Sequence, residues 1–130
     1  MRLFQLVGAV GLALGAQPVA AQEIVLHSGL SVMPLDRIVE RQADGRMWLT
    51  LRYVTPRIAR DGGDMGYEDV ATDLDELCNT QGLSAAAEEG GIDEVVIALL
   101  DRPVEWGTTD PDATMFIGAY FPDEEGCIWQ

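Results

Sequence analysis

Polar and apolar residues alternate between Arg46 and Val54 with the period of a β-strand. The more apolar face of this segment would comprise Met47, Leu49, Leu51 and Tyr53, and the other face Trp48, Thr50, Arg52 and Val54. A second strand-like segment, Leu35 to Arg41, precedes it. The residues between them, Gln42 to Gly45, include an Asp-Gly pair that favours a tight turn. The pattern therefore predicts a β-hairpin.

Three further segments have strand character. Residues 24–33 contain two short apolar runs, although Gly29 interrupts them. Strands are also predicted across Glu94 to Asp101 and across Thr114 to Phe121. The run Val95 to Leu100 is apolar without alternation, which indicates a central strand covered on both faces.

Helical periodicity appears between Gly66 and Gln81. The apolar residues that recur at helical spacing are Tyr67, Val70, Ala71, Leu74, Leu77 and Cys78. Glu68 and Asp69 would complement the helix dipole in the first turn, and Gly82 is suited to end the helix. The acidic residues that we expect to face water are Asp73, Asp75 and Glu76. Residues Ala85 to Glu89 would add a further helical turn.

The N-terminal segment has the three-part pattern of a secretory signal peptide. A basic residue, Arg2, precedes an apolar run from Leu3 to Ala16, and small residues close the segment at Ala21. The run is shorter than the roughly 20 apolar residues of a spanning helix. We therefore expect residues 1–21 to be removed, leaving one domain, 22–130, as a periplasmic or extracellular protein with no membrane attachment.

The predicted architecture is α+β: an antiparallel sheet of four to five strands with one main helix packed on one face. Cys78 lies on the apolar face of that helix, and Cys127 lies in the C-terminal tail. Because exported proteins fold under oxidising conditions, we expect the two cysteines to form one structural disulfide.

Acidic residues dominate the second half of the chain. The whole sequence has 22 Asp and Glu against 8 Arg, with a formal net charge of −14. Residues 22–60 contain four acids and six arginines, whereas residues 61–130 contain 18 acids and only Arg102. Such a charge disfavours nucleic acid and anionic membrane surfaces and attracts cationic partners. The alternative is that the charge serves only to keep an exported protein soluble.

Two candidate reactive sites have weak patterns. His27 and Ser28 are sequence neighbours without the surrounding glycine pattern of a nucleophile elbow, and His27 is the only histidine, which excludes a multi-histidine metal site. The stretch Asp61 to Asp69 has oxygen ligands and glycines but lacks the spacing of a calcium loop. We predict no cofactor, metal ligand or catalytic residue from these patterns.

The loop between the last two predicted strands combines an aromatic residue with carboxylates. Its candidate partner-binding residues are Glu105, Trp106, Asp110 and Asp112. Trp106 also fits a plain core position. The three carboxylates are the nearest cluster for a small hydrolase, which would need two of them in one pocket with separated pKa values.

The C-terminal half resembles a family of small exported bacterial proteins of unknown function. The likeness rests on Leu77-Cys78, on the run from Val95 through Asp101-Arg102-Pro103-Val104-Glu105-Trp106-Gly107, on Thr109-Asp110-Pro111, and on Cys127-Ile128-Trp129. It implies export and a disulfide, and it carries no catalytic residue across.

Two functional classes follow. The first is a non-enzymatic binding or accessory domain that engages a cationic protein through an acidic face, with an inhibitor of a cationic enzyme as one form. The second is a small hydrolase that uses carboxylates as acid and base. The sequence favours the first, because no catalytic motif accompanies the acidic residues.

Overall fold

A computed structural model describes residues 15–19 and 22–130. The strands are β1 (Gln17–Pro18), β2 (Ile24–Val25), β3 (Ser31–Arg41), β4 (Met47–Val54), β5 (Glu94–Leu100), β6 (Met115–Asp123) and β7 (Gly126–Trp129). Two α-helices, α1 (Tyr67–Leu77) and α2 (Leu83–Glu89), lie between β4 and β5. The fold is α+β with one main helix, as predicted. Residues 1–14 and 20–21 of the predicted signal peptide lie outside the described residues.

The strands form one sheet in the order β1-β3-β4-β5-β6-β7, with β2 also paired to β3. The prediction of four to five strands is wrong because β1 and β7 add pairs at the two edges. The predicted antiparallel arrangement is wrong at one pair, since β4 and β5 run parallel. The helices between them carry the chain back to the same end of the sheet, as a parallel connection requires.

The predicted hairpin is confirmed. Strands β3 and β4 pair antiparallel, with Glu40 opposite Trp48 and Arg41 opposite Met47. Gly45 closes the turn with a φ of +89°, which a residue with a side chain rarely adopts. The pairing shifts between Pro34 and Asp36, where β3 has an irregularity.

One face of the sheet packs against helix α1 and forms the hydrophobic core. Its largest buried members from the sheet and helix are Leu49, Tyr53, Ile97, Leu99, Tyr120, Leu74 and Leu77. Tyr120 Oη donates a hydrogen bond to Asp75 Oδ1 at 2.7 Å. Burial of the phenol, reinforced by this carboxylate, raises the pKa of Tyr120 above its ordinary value. The core therefore has a polar link between β6 and α1.

The helical segment does not end at Gly82, as the sequence predicted. It continues through one π-helical turn, Cys78–Gly82, into α2, and the helix ends at Gly90 with a φ of +78°. A Cβ on Gly82 would lie 3.0 Å from Val95 Cγ1 and 3.2 Å from Cys78 Sγ. Gly82 is thus needed for close packing of the π-turn against β5.

The turn between β2 and β3 docks on α1 through acidic side chains. Ser28 Oγ donates to Asp73 Oδ1 at 2.7 Å, and the His27 backbone N–H donates to Glu76 Oε1 at 3.0 Å. Asp73 is buried, so the expectation that it faces water is wrong for this residue, whereas Asp75 is exposed. Docking of the turn removes Asp73 from solvent.

The predicted disulfide is present between Cys78 and Cys127. It joins the π-turn to strand β7, and Asn79 Oδ1 accepts a hydrogen bond from the Cys127 backbone N–H at 2.9 Å. Ile128 and Trp129 extend the sheet as its edge strand and stay exposed. The disulfide and Asn79 together hold the C-terminal strand to the helical segment.

Removal of the disulfide tests how much it stabilises the fold. If the bond acts by lowering the chain entropy of the unfolded state, a loop of this length contributes about 4 kcal/mol. We expect the Cys78→Ala/Cys127→Ala variant to lose about that free energy of unfolding, measured by urea denaturation with far-UV circular dichroism. Chemical reduction of the unmodified protein should give a comparable loss. An unchanged unfolding midpoint in both experiments would contradict this account.

Candidate functional site

The connection between β5 and β6, residues 101–114, passes over the sheet face opposite the helices, here called the outer face. A cleft of about 440 Å³ lies between this connection and the sheet. We call it the outer cleft. Its volume is within the range of about 300–1,000 Å³ that is typical of ligand sites.

Differences in side-chain size create the outer cleft. Thr50 of β4 lies beside Val96 of β5, and Arg52 lies beside Ala98. Thr50, Val96 and Ala98 are short and form the floor. The larger side chains around them are Trp48, Leu100, Trp106, Met115 and Ile117. Because short side chains at the sheet centre face long ones at its margin, the outer face has a depression.

A buried ion pair lies at one end of the cleft. Arg52 Nε is 2.7 Å from Asp36 Oδ1, and Arg52 Nη2 is 2.6 Å from Asp36 Oδ2. The two residues are only 5% and 8% exposed, respectively. The bidentate geometry satisfies both groups, so the positive charge of Arg52 is neutralised within the protein.

Trp106 forms a wall of the cleft. The Arg52 guanidinium carbon is 5.3 Å from the centroid of the Trp106 ring, which is a cation–π contact. Trp106 is half-buried and does not belong to the hydrophobic core between sheet and helix. The plain core interpretation of this residue is therefore wrong, because the connection places it on the opposite face of the sheet.

Carboxylates edge the cleft on two sides. Glu40 comes from β3, and Glu105 and Asp110 come from the connection. Within residues 15–19 and 22–130, neither Glu40 nor Glu105 takes part in an ion pair. The outer cleft thus combines an apolar floor with two carboxylates, those of Glu40 and Glu105, that pair with no cation among the described residues.

Hydrogen bonds fasten both ends of the connection. The Thr114 backbone N–H donates to Asp101 Oδ1 at 2.6 Å, and the Asp101 N–H donates to the Thr114 carbonyl at 3.1 Å. Arg60 Nη2 donates to the carbonyls of Pro111 and Ala113 at 2.8 and 2.9 Å. These contacts hold the wall of the cleft in place over the sheet.

Asp101 is ionised more readily than an ordinary aspartate. Burial works against its charge, but the Thr114 N–H and the Arg102 guanidinium outweigh burial and lower the pKa of Asp101. Arg102 Nε donates to Asp101 Oδ2 at 3.0 Å. The charged form is therefore the one that fastens the connection.

The structure brings together three of the four residues predicted to bind a partner. Glu105, Trp106 and Asp110 line the outer cleft, whereas Asp112 lies away from it, near Arg60 and Arg102. The Asp112 N–H donates to Asp110 Oδ1 at 2.9 Å, which shapes the turn between them.

Sequence reasoning missed the part of the cleft that the sheet supplies. The missed residues are Glu40, Trp48, Thr50, Arg52, Val96, Ala98, Leu100, Met115 and Ile117. One signal was present in the chain: Thr50 and Arg52 are polar at alternate positions of an otherwise apolar strand. Their meaning depended on which side chains the neighbouring strands would place beside them.

Ser28 and the carboxylates of the Asp61 to Asp69 stretch, which have weak patterns of reactive sites, make contacts that hold the fold together. Ser28 donates to Asp73 and not to His27. In the glycine-rich stretch, Asp64 pairs with Arg57 at 2.8 Å, and Asp69 Oδ2 accepts the Gly66 backbone N–H at 2.8 Å. These carboxylates shape the loop and the start of α1.

The carboxylates considered for a hydrolase do not form an enclosed pair. Of the three candidates, Glu105 and Asp110 line the outer cleft and Asp112 does not. Glu105 and Asp112 are both exposed. In the described part of the chain, no group of three or more His, Cys, Asp or Glu side chains is placed to hold a metal ion. No helix among the same residues has the length and apolar character to cross a membrane.

Comparison with known protein families shows which family the chain matches. A family model described as a family of unknown function, DUF6497, matches residues 10–130. The resemblance to a family of unknown function is thereby confirmed, and it extends well beyond the C-terminal half. No curated protein and no solved structure matches the chain.

Loss of one partner tests the buried ion pair at the cleft. In Asp36→Asn, Arg52 remains charged and buried without a carboxylate, so we expect a loss of about 3 kcal/mol in the free energy of unfolding. Urea denaturation measures it. The double variant Asp36→Leu/Arg52→Met should recover most of that loss, because it removes both charges. Equal stability of Asp36→Asn and the unmodified protein would contradict the expected cost.

The pH dependence of stability tests the contact between Asp101 and Thr114. At pH 7, Asp101→Asn should lower the free energy of unfolding by about 1 kcal/mol, the difference between a charged and a neutral acceptor. Because the folded protein lowers the pKa of Asp101, this stabilisation is present above the ordinary aspartate pKa of about 3.9 and is lost as the pH falls below it. The two unfolding curves should therefore converge in acid. A difference that persists unchanged at pH 2 would exclude the charge as its source.

Proposed function

We propose that this chain, which belongs to the DUF6497 family of unknown function, is an exported binding domain that engages a cationic protein. The observation that carries this proposal is the outer cleft, an apolar recess edged by the carboxylates of Glu40 and Glu105, which form no ion pair with another residue that the structure describes. A recess with an apolar floor and a few polar groups at its edge is the common form of a binding site.

The charge of the chain supports a cationic partner. With a net charge of −14, the protein attracts positive surfaces and repels nucleic acid and anionic membranes. The one guanidinium of the cleft, that of Arg52, is already neutralised by Asp36. The cleft therefore offers negative charge at its edge and no free positive charge in its lining.

Export is part of the proposal and rests on two features. The N-terminal residues have the pattern of a signal peptide, and the disulfide between Cys78 and Cys127 is of the kind that persists in the periplasm or outside the cell. One specific form of the function is inhibition of a cationic exported enzyme, for which small size, acidity and a disulfide are suitable. The carboxylates of the connection support binding better than hydrolysis, because Glu105 and Asp112 are exposed.

Affinity capture at two salt concentrations tests the proposed function. The protein is expressed with its own N-terminal segment, which directs its export, and is purified with its disulfide intact. It is then immobilised and exposed to periplasmic and culture extracts. We expect retention of one cationic protein at low salt and its loss at high salt, because screening weakens charge attraction. Any captured enzyme is then assayed with and without the chain.

Matched variants make the capture specific to the cleft. Glu40→Gln/Glu105→Gln should reduce retention at least tenfold. Glu124→Gln/Glu125→Gln makes the same change in net charge at exposed residues of the turn between β6 and β7. It should retain the partner as the unmodified protein does. Equal loss with both pairs would reduce the effect to overall charge, and the absence of any cationic protein would overturn the proposal.

A further inference from the structure

We propose that the outer cleft receives one large apolar side chain from a segment of the partner that also carries lysine or arginine. This inference rests on the proposed function for the positive charge of the partner. The inference specifies which side chains the binding segment carries. It also identifies the floor of the cleft as the part that favours an apolar side chain.

The cleft has room for a large side chain. Its volume is about 440 Å³. A leucine, phenylalanine or methionine side chain with its adjoining backbone fits such a space. Met115 and Ile117 are exposed at the cleft, so an inserted apolar group displaces water from them without losing charge contacts. Beneath them, the floor residues Val96 and Ala98 present only buried methyl groups.

The acidic groups lie where residues flanking such a side chain would pass. Glu40 edges the cleft from β3, and Glu105 edges it from the connection. Lysine or arginine on either side of the inserted side chain would pair with these carboxylates at the rim. Because both groups are exposed, we expect their contribution to be sensitive to salt.

The apolar surface continues beyond the cleft, which favours a protein over a small free ligand. Its exposed members, here called the outer strip, are Met115, Ile117, Phe121 and Ile128. Met115 and Ile117 line the cleft, and Phe121 lies directly opposite Ile128 across β6 and β7. A small molecule in the cleft would leave Phe121 and Ile128 in water, whereas a protein surface would cover both the cleft and these residues.

A second copy of this chain is a poor occupant for the same surface. Two chains that each carry a net charge of −14 repel one another, and each would bring carboxylates to the edge of the other's cleft. With a cationic segment, the net charges attract one another and the carboxylates at the edge of the cleft gain partners. Charge complementarity therefore selects the partner, and the apolar recess selects the side chain.

Short peptides of defined sequence test the inference directly. Three capped pentapeptides of equal length place Lys-Phe-Lys, Lys-Ser-Lys or Glu-Phe-Glu between glycines, and each is titrated into the isotopically labelled full chain. The readout is the shift of the Trp106 indole N–H signal in two-dimensional NMR spectra. We expect Lys-Phe-Lys to bind at least tenfold more tightly than either of the others. If Lys-Ser-Lys binds equally well, charge alone explains the binding. If Glu-Phe-Glu binds equally well, apolar contact alone explains it. Either result would overturn the proposal, as would the absence of binding by Lys-Phe-Lys.

Variants of the cleft test whether the peptide occupies it. Ala98→Leu fills the floor and should weaken Lys-Phe-Lys binding at least tenfold. Ala87→Leu adds the same bulk at an exposed position of α2, on the opposite side of the sheet, and should leave binding unchanged. Ile117 is 49% exposed, so Ile117→Ser gives a second test with little effect on packing, with Val25→Ser on β2 as its control. Binding that survives both cleft variants would place the peptide elsewhere and overturn the proposal.

The inference and the proposed function fail separately. If affinity capture yields a cationic protein that Ala98→Leu and Ile117→Ser both retain fully, the acidic face binds without the cleft, and the inference is wrong. If Lys-Phe-Lys binds as expected but no cationic protein is captured from any extract, the chemistry of the cleft stands and the proposed partner class is wrong.

Discussion

Strand β5 must be covered on both of its faces, and the rest of the structure follows from that requirement. All seven of its residues are buried. Helix α1 and the π-turn cover one face with close packing that needs Gly82. In the part of the chain that the structure describes, the other face is covered by an irregular connection, which does not pack as closely as a helix. The outer cleft is the space that this second cover leaves over the short side chains of the sheet.

The connection can serve as a cover because polar contacts hold it at both ends. Asp101 and Thr114 close its base, and Arg60 binds the carbonyls of Pro111 and Ala113. Arg52 then supports Trp106 from the sheet side. The buried charges of Asp101 and Arg52 would be costly to bury singly, but each has a partner. Their pairing makes a loop behave as a wall, which is what a binding site on a rigid scaffold requires.

Much of the fold was predictable because it depends on local pattern. The hairpin of β3 and β4 follows from alternation and an Asp-Gly turn, and the central position of β5 follows from a continuous apolar run. Helix α1 was predictable, but its continuation past Gly82 was not. Glycine is needed at this position because Val95 and Cys78 pack too closely to leave room for a side chain. Burial of Asp73 was equally hidden, because it depends on docking of the turn at Ser28, 45 residues away.

The sequence by itself determined the α+β class, the disulfide and the strong negative charge. It also indicated the loop that contains Trp106 as a candidate binding surface. Only the tertiary structure decided the parallel pairing of β4 with β5, the edge strand β7, and the meeting of Trp106 with Arg52 and the sheet. The physical reason is the range of the interactions. Periodicity, turns and net charge are properties of neighbouring residues or of the whole composition. A cleft depends on which distant side chains are placed side by side, and the order and register of the strands set that.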